Sequence, residues 1–102
     1  MKIKSIIVDD EKHGRENLAG ILNKYCPEVN LLGESNSVET AIPLIQSQNP
    51  DLVFLDIEMP KANGFQLLEY FKDFSFEVIF VTAYDSYAIK AIRFSAADYI
   101  LK

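Results

Sequence analysis

The sequence contains little of what several classes of protein require. A single cysteine, Cys26, excludes an internal disulfide framework, and one histidine leaves no Cys/His cluster for zinc. No apolar run approaches the roughly 20 residues that cross a bilayer, and the run before Asp9 is too short for a signal peptide. Fifteen acidic residues against ten basic ones give a formal net charge of −5. We therefore expect this segment to lie in the cytoplasm and to contact neither nucleic acid nor a membrane directly.

What the sequence does contain is enough apolar material for one globular domain. Of the 102 residues, 49% are hydrophobic, which is sufficient to fill one core. The chain shows no repeat, linker or low-complexity stretch. Residues 1–102 are therefore predicted to form a single domain.

Two kinds of apolar pattern alternate along the chain. Runs rich in β-branched and aromatic residues predict strands at 3–8, 29–34, 52–55, 78–81 and 99–101. Helical spacing predicts helices at 11–25, 64–73 and 85–94, and another that begins near Asn36 or Ser37 and that Pro43 kinks or delays. Leu18, Ile21, Leu22 and Tyr25 are spaced as one apolar face of the first helix, and the last helix is predicted to pack through Ala88, Ala91 and Ile92. This alternation implies right-handed βαβ crossovers and a parallel sheet covered on both faces, although periodicity leaves the strand order open.

Chemically active side chains come at the ends of four of the five predicted strands. Asp9 and Asp10 follow the first strand, Asp56 the third and Lys102 the fifth, and Thr82 ends the fourth. The carboxyl ends of parallel strands meet at one edge of the sheet, where ligands bind in open α/β folds. Singly, these residues have ordinary interpretations: a helix cap, a solubilising carboxylate, a strand hydroxyl and a solvated terminal lysine. Together they predict a site at that edge.

The residue types at this edge indicate phosphoryl chemistry with a metal ion. Three carboxylates in one pocket repel one another, and a hard divalent cation relieves that repulsion. Mg²⁺ prefers oxygen ligands and commonly combines one or two carboxylates with waters and phosphate oxygens. We therefore predict a Mg²⁺ site in which Asp56 is the nucleophile and Thr82 and Lys102 hold the phosphoryl oxygens. His13, one helical turn beyond the acidic pair, is expected to be solvated.

Four short motifs resemble those of the receiver domain of two-component response regulators. They are Val8-Asp9-Asp10-Glu11, Leu55-Asp56-Ile57-Glu58-Met59-Pro60 with Gly64, Thr82-Ala83, and Tyr99-Ile100-Leu101-Lys102. The resemblance covers the whole chain, and the motif set taken together is highly specific. The run 81–91 further resembles the LytTR-type subgroup, whose receivers usually precede a DNA-binding domain.

The resemblance implies both a fold and a metal site. The implied fold is α/β and flavodoxin-like: a doubly wound parallel sheet of five strands in the order 2-1-3-4-5, with the family's fifth helix missing from this chain. Asp56 would be the phosphoacceptor. Mg²⁺ would be bound directly by Asp10, Asp56 and the backbone carbonyl of Glu58, while Asp9 would act mainly through water.

The same resemblance implies roles for residues on the last two strands, and it implies partners. Thr82 would sense the phosphoryl group, and the backbone amide of Ala83 would help to bind it. Lys102 would contact the phosphoryl group, and Tyr99 would be the aromatic residue that turns inward on activation. The implied partners are a sensor histidine kinase, a second receiver in a homodimer, and nucleic acid only through an output domain absent from this chain.

The resulting prediction is a phosphorylation-dependent switch in a transcription regulator, with no turnover of an external substrate. Two alternatives remain open. One is a pseudo-receiver that binds partners but is never phosphorylated, although the intact acidic residues, Thr82 and Lys102 argue against it. The other is a phosphohydrolase with an aspartate nucleophile. Against that alternative, Glu58 stands where such enzymes have a second aspartate, and the chain has no room for a specificity cap.

Overall fold

The computed structural model describes residues 2–102, in which five strands alternate with four helices. In chain order they are β1 (Ile3–Val8), α1 (Lys12–Tyr25), β2 (Val29–Ser35), α2 (Val38–Gln48), β3 (Leu52–Leu55), α3 (Gly64–Phe71), β4 (Glu77–Thr82), α4 (Ala88–Arg93) and β5 (Asp98–Leu101). Every strand agrees with its predicted bounds to within one residue at each end. The helices differ more, because α3 ends two residues early and α4 begins three residues late.

The five strands form one parallel sheet in the order β2-β1-β3-β4-β5, which confirms the order implied by the resemblance. Leu55 of β3 lies opposite Val8 of β1. The backbone ladder continues one residue beyond the strands: the Asp56 N–H donates to the Val8 carbonyl at 2.9 Å, and the Lys102 N–H donates to the Thr82 carbonyl at 2.8 Å. This register brings the residues that follow β1, β3 and β5 to the same edge.

The central strand β3 is buried on both faces of the sheet. Its Val53 and Leu55 join the larger core cluster, to which α2 and α3 contribute. Its Phe54 points to the other face and packs with Ile7 and with Leu22 of α1. Within residues 2–102, none of the helices combines the length and the apolar character that a bilayer span needs. Two apolar clusters, one on each face of the sheet, pack against β3.

Parts of the apolar faces predicted for the helices are exposed. Leu22 of α1 is buried, but Ile21 is 45% and Tyr25 68% exposed. Ile21 lines an open groove together with Leu18, Val81, Ile100 and Leu101. Residues 2–102 contain no helix after β5 that could cover this groove. Only part of the apolar face predicted for α1 is therefore buried within residues 2–102, because periodicity does not show which part of a helix another element covers.

The structure also corrects the predictions for α2 and α4. The late start expected at Pro43 does not occur: α2 runs without interruption over Val38–Gln48. Ser37, one of the two predicted caps, accepts a hydrogen bond from the Thr40 N–H at 3.1 Å. Pro43 lies on the exposed side of the helix, where water can bond the carbonyl that proline leaves without a donor. In α4, Ile92 is 74% exposed and not inward-facing, because this six-residue helix buries only Ala91.

Gly64 lets α3 begin directly against the backbone of Asp56. A Cβ atom at Gly64 would lie 2.6 Å from the Asp56 carbonyl oxygen, closer than real Cβ contacts. The Gly64 N–H donates to the Ile57 carbonyl at 2.9 Å, which closes the loop after β3. The helix then starts with a capping box, in which the Asn63 and Gln66 side chains bond each other's backbone N–H groups. The end of β3 and the start of α3 therefore form one rigid unit.

We predict opposite stability effects for alanine at two glycines. Gly64→Ala should lower the free energy of unfolding by about 1–3 kcal/mol, because the obstructing atom belongs to the backbone and cannot rotate away. Gly20→Ala in α1 is the matched control, since its added Cβ would meet nothing within 4 Å. That substitution should raise the free energy of unfolding by about 0.5–1 kcal/mol. Urea denaturation measures both values, and a stabilising Gly64→Ala would contradict the close approach.

Candidate functional site

Four carboxylates meet at the carboxyl edge of the sheet, and we call them the acidic cluster: Asp9, Asp10, Glu11 and Asp56. One oxygen from each lies within 4.8 Å of those of the other three. Asp9 and Asp56 are buried, whereas Asp10 and Glu11 are exposed. The structure thus brings together the three predicted aspartates. Glu11 was missed as a member, because a carboxylate at that position was attributed to the start of α1.

Lys102 lies inside the acidic cluster, so the interpretation of a solvated terminal lysine is wrong. Its Nζ is 2.9 Å from Asp9 Oδ2, 3.0 Å from Asp56 Oδ2 and 3.5 Å from Glu11 Oε1. Partial burial alone would lower the pKa of Lys102, but the hydrogen bonds to Asp9 and Asp56 outweigh burial and raise the pKa above its usual range. Lys102 therefore remains a cation that neutralises part of the cluster.

Asp56 is a buried member of the acidic cluster, and its two carboxylate oxygens have different surroundings. Its side chain is 6% exposed, and only Oδ2 has a partner, the Lys102 ammonium. Oδ1 is buried and has no hydrogen-bond partner among the described residues. Burial, with a smaller contribution from the neighbouring Asp9 carboxylate, raises the pKa of Asp56, and the Lys102 ammonium and the Ile57 backbone N–H offset only part of that rise. An open oxygen on a buried carboxylate is a costly arrangement, and such groups commonly serve a ligand or a reaction.

Asp9, by contrast, is fully engaged by its own chain. Its Oδ1 accepts from the Glu11 N–H at 2.9 Å, and its Oδ2 pairs with Lys102. Its carbonyl accepts from Arg15 at 2.7 Å, a contact that the sequence reasoning did not anticipate. A Cβ at Gly14 would lie 2.7 Å from Asp9 Oδ2, so the small residue leaves room for this carboxylate. Both oxygens of Asp9 therefore have partners within the protein, whereas one oxygen of Asp56 has none among the described residues.

The predicted residues of β4 and β5 lie beside the cluster and are connected to each other. Thr82 is fully buried at the end of β4, and its hydroxyl accepts from the Tyr84 N–H at 3.3 Å. Ala83 is exposed in the loop that follows. The Tyr99 hydroxyl donates to the Tyr84 carbonyl, and its ring centroid is 6.2 Å from that of Phe80. Tyr99 thus contacts the loop after β4 and not the acidic cluster.

Of two further side chains, that of Glu58 accepts a hydrogen bond and that of His13 is exposed. The Glu58 carboxylate, two residues after Asp56, accepts a hydrogen bond from the Tyr87 hydroxyl. This bond raises the pKa of Tyr87, so that the phenol stays protonated and remains a donor. Sequence reasoning placed Tyr87 inside the helix predicted over 85–94 and inside the run 81–91, but it assigned the residue no role. His13 is exposed on α1, as predicted.

Residues 6–102 match the family model of the response regulator receiver domain. The chain therefore belongs to this family, in agreement with its motifs and strand order. Receiver domains of response regulators are signalling modules of two-component systems, and the chain belongs to that class of protein.

Individual relatives agree with the family and indicate the subgroup. The chain is 45% identical over 101 residues to an uncharacterized response regulatory protein of Yersinia pestis, covering 98% of this chain and 42% of that protein. It is 39% identical over 102 residues to the sensory transduction protein LytT of Bacillus cereus, covering 98% and 41%. These relatives agree with a LytTR-type subgroup. The chain spans about two fifths of the length of the curated relatives it matches.

A solved receiver structure has the same fold. The response regulator TrrA of Thermotoga maritima, determined in complex with Mg²⁺ and BeF, is 32% identical to this chain with a TM-score of 0.84. The match covers 100% of this chain and 87% of that one. The predicted flavodoxin-like architecture is therefore confirmed.

We predict that Asp56→Asn stabilises the metal-free protein at neutral pH. A carboxyl group whose pKa is raised by folding opposes folding once it ionises, and the amide removes that ionisation. The gain should be full above the folded pKa of Asp56 and should vanish as the pH falls below the unfolded value of about 3.8. Lys102 retains Asp9 and Glu11 as partners.

Urea unfolding in the presence of a chelator, at pH 7 and near pH 4, measures this difference. Asp73→Asn, at an exposed carboxylate after α3, is the control and should change the free energy of unfolding little at either pH. An Asp56→Asn protein that is less stable than the wild type at pH 7 would show that the contact with Lys102 outweighs burial.

Proposed function

We propose that this domain accepts a phosphoryl group on Asp56 from a sensor histidine kinase and changes conformation in response. The single observation that carries the proposal is the buried Asp56 Oδ1, which has no partner among the described residues, on a carboxylate whose Oδ2 contacts the Lys102 ammonium. A nucleophile must have an oxygen free to attack, and a nearby cation must balance the negative charge that arrives. Asp56 is the one member of the acidic cluster with a buried oxygen left unpartnered by the described residues.

We further propose that Mg²⁺ is the cofactor. The acidic cluster offers only oxygen ligands, the type that Mg²⁺ prefers. Asp10, Asp56 and the Glu58 backbone carbonyl would hold the ion directly. Asp9, whose oxygens are already engaged, would act mainly through water. When bound, Mg²⁺ supplies positive charge that offsets the carboxylates and the incoming phosphoryl oxygens.

The residues around Asp56 suit a phosphoryl transfer. An Asp56 oxygen attacks phosphorus and forms a new P–O bond, while the bond from phosphorus to the donor breaks and its electron pair leaves with the donor. The Lys102 ammonium, already 3.0 Å from Asp56 Oδ2, would contact a phosphoryl oxygen. The Thr82 hydroxyl and the Ala83 amide would bind the others. The Tyr99 hydroxyl, bonded to the loop after Thr82, would report a movement of that loop.

The proposal also covers the output domain, the cellular location and the pairing of the receiver. The similarity to LytT supports an output domain that binds DNA and regulates transcription, located outside these residues. We propose a cytoplasmic protein whose receiver pairs with a second copy, so that nucleic acid is contacted only through the output domain. We take residues 1–102 as part of one receiver domain.

Acetyl phosphate with Mg²⁺, followed by intact-mass spectrometry, tests the proposal. The wild type should gain one phosphoryl group, because acetyl phosphate presents the same electrophile as a phosphorylated kinase. Asp56→Asn should gain none, since an amide is not a nucleophile. The Asp73→Asn variant, altered at an exposed aspartate, is the control and should be labelled like the wild type. An unmodified wild type would favour the pseudo-receiver, and turnover of many small phosphate esters would favour a phosphohydrolase.

A further inference from the structure

A hydrogen bond connects two separate loops beside the proposed site. Glu58 lies in the loop between β3 and α3, two residues beyond Asp56. Tyr87 lies in the loop between β4 and α4, directly before α4. The Tyr87 hydroxyl donates to the Glu58 carboxylate, a contact between residues 29 positions apart in the sequence. None of the roles considered so far uses this contact.

The Tyr87 ring is held by packing, so its hydroxyl has a defined direction. The ring meets that of Phe65 edge-on, with centroids 5.9 Å apart, and that of Tyr84 at 6.2 Å. Phe65 is itself buried and stacks on Phe94 at 5.2 Å. An edge-on aromatic contact is favourable and directional. Tyr87 is therefore anchored through its ring, whereas Glu58 is exposed and its side chain is free to rotate apart from this bond.

The Glu58 carboxylate lies outside the acidic cluster. Glu58 stands only two residues from Asp56, yet the four carboxylates that approach within 4.8 Å of one another do not include it. A further carboxylate at the acidic cluster would add repulsion around Asp56 and would offer a cation another ligand. We propose that Tyr87 is a positioning residue for Glu58, whose carboxylate it holds outside the acidic cluster. This inference rests on the proposed metal site and concerns the charge that a bound cation meets.

The substitution Tyr87→Phe removes the hydroxyl and keeps the ring against Phe65. The freed Glu58 carboxylate should then reach the cation, and the protein should bind Mg²⁺ roughly two- to fivefold more tightly, the size of an exposed ionic interaction. A Mg²⁺ titration followed by the amide resonances of the acidic cluster measures this affinity. Tyr70→Phe is the matched control, since Tyr70 is exposed on α3 and its hydroxyl has no partner among the described residues. It should bind Mg²⁺ like the wild type.

A second background separates positioning from packing. In Glu58→Ala there is no carboxylate to release, so adding Tyr87→Phe should leave the Mg²⁺ affinity unchanged. The inference is overturned if Tyr87→Phe alone leaves the affinity equal to or weaker than that of the wild type. It is equally overturned if the change persists in the Glu58→Ala background. A wild type that binds no Mg²⁺ would contradict the proposed metal site and this inference together, whereas normal wild-type binding with an inert Tyr87→Phe would reject the inference alone.

Discussion

The ion cluster formed by Lys102, Asp56 and Asp9 is the interaction on which the rest of the structure depends. One ammonium contacts both buried carboxylates at 2.9 and 3.0 Å, and Glu11 adds a longer contact at 3.5 Å. Removing charges from water is expensive, and burial still leaves the pKa of Asp56 raised despite its lysine partner. The domain thus retains a carboxylate that is only partly compensated. A bound cation would reduce that residual cost, because it would compensate the remaining negative charge.

The fold is arranged so that this cluster is held in place. Parallel pairing sets Asp56 beside the end of β1, where its N–H donates a hydrogen bond to the Val8 carbonyl at 2.9 Å. It likewise sets Lys102 beside the end of β4, where its N–H donates to the Thr82 carbonyl at 2.8 Å. Two glycines then allow the close contacts, Gly14 next to the Asp9 carboxylate and Gly64 against the Asp56 carbonyl. The apolar strands behind the edge exclude water from Asp56. A rigid scaffold with open, polar loops at its edge is the common arrangement for functional sites.

The sequence predicted the strand bounds to within one residue, because strand ends follow directly from apolar runs. It also predicted that Asp9, Asp10, Asp56 and Lys102 meet at one edge, because each lies at a strand end. Features that depend on contacts between distant segments were not predictable. The Tyr87–Glu58 bond requires the geometry of two loops, and the exposure of Ile21 depends on what covers the sheet next to β5. Glu11 was missed because a helix-start carboxylate and a site carboxylate have the same sequence signal.

A crystal structure with Mg²⁺ and beryllofluoride tests the central claim, that the partly compensated Asp56 carboxylate is the phosphoryl acceptor, most directly. The account predicts beryllium bonded to an Asp56 oxygen, Mg²⁺ contacting Asp10 and Asp56, and Lys102 turned from the two carboxylates toward a fluoride. Tyr99 and the Thr82 hydroxyl should differ in position from the unliganded protein. Beryllofluoride bound away from Asp56, or Lys102 still paired with Asp9 and Asp56 beneath it, would contradict the account.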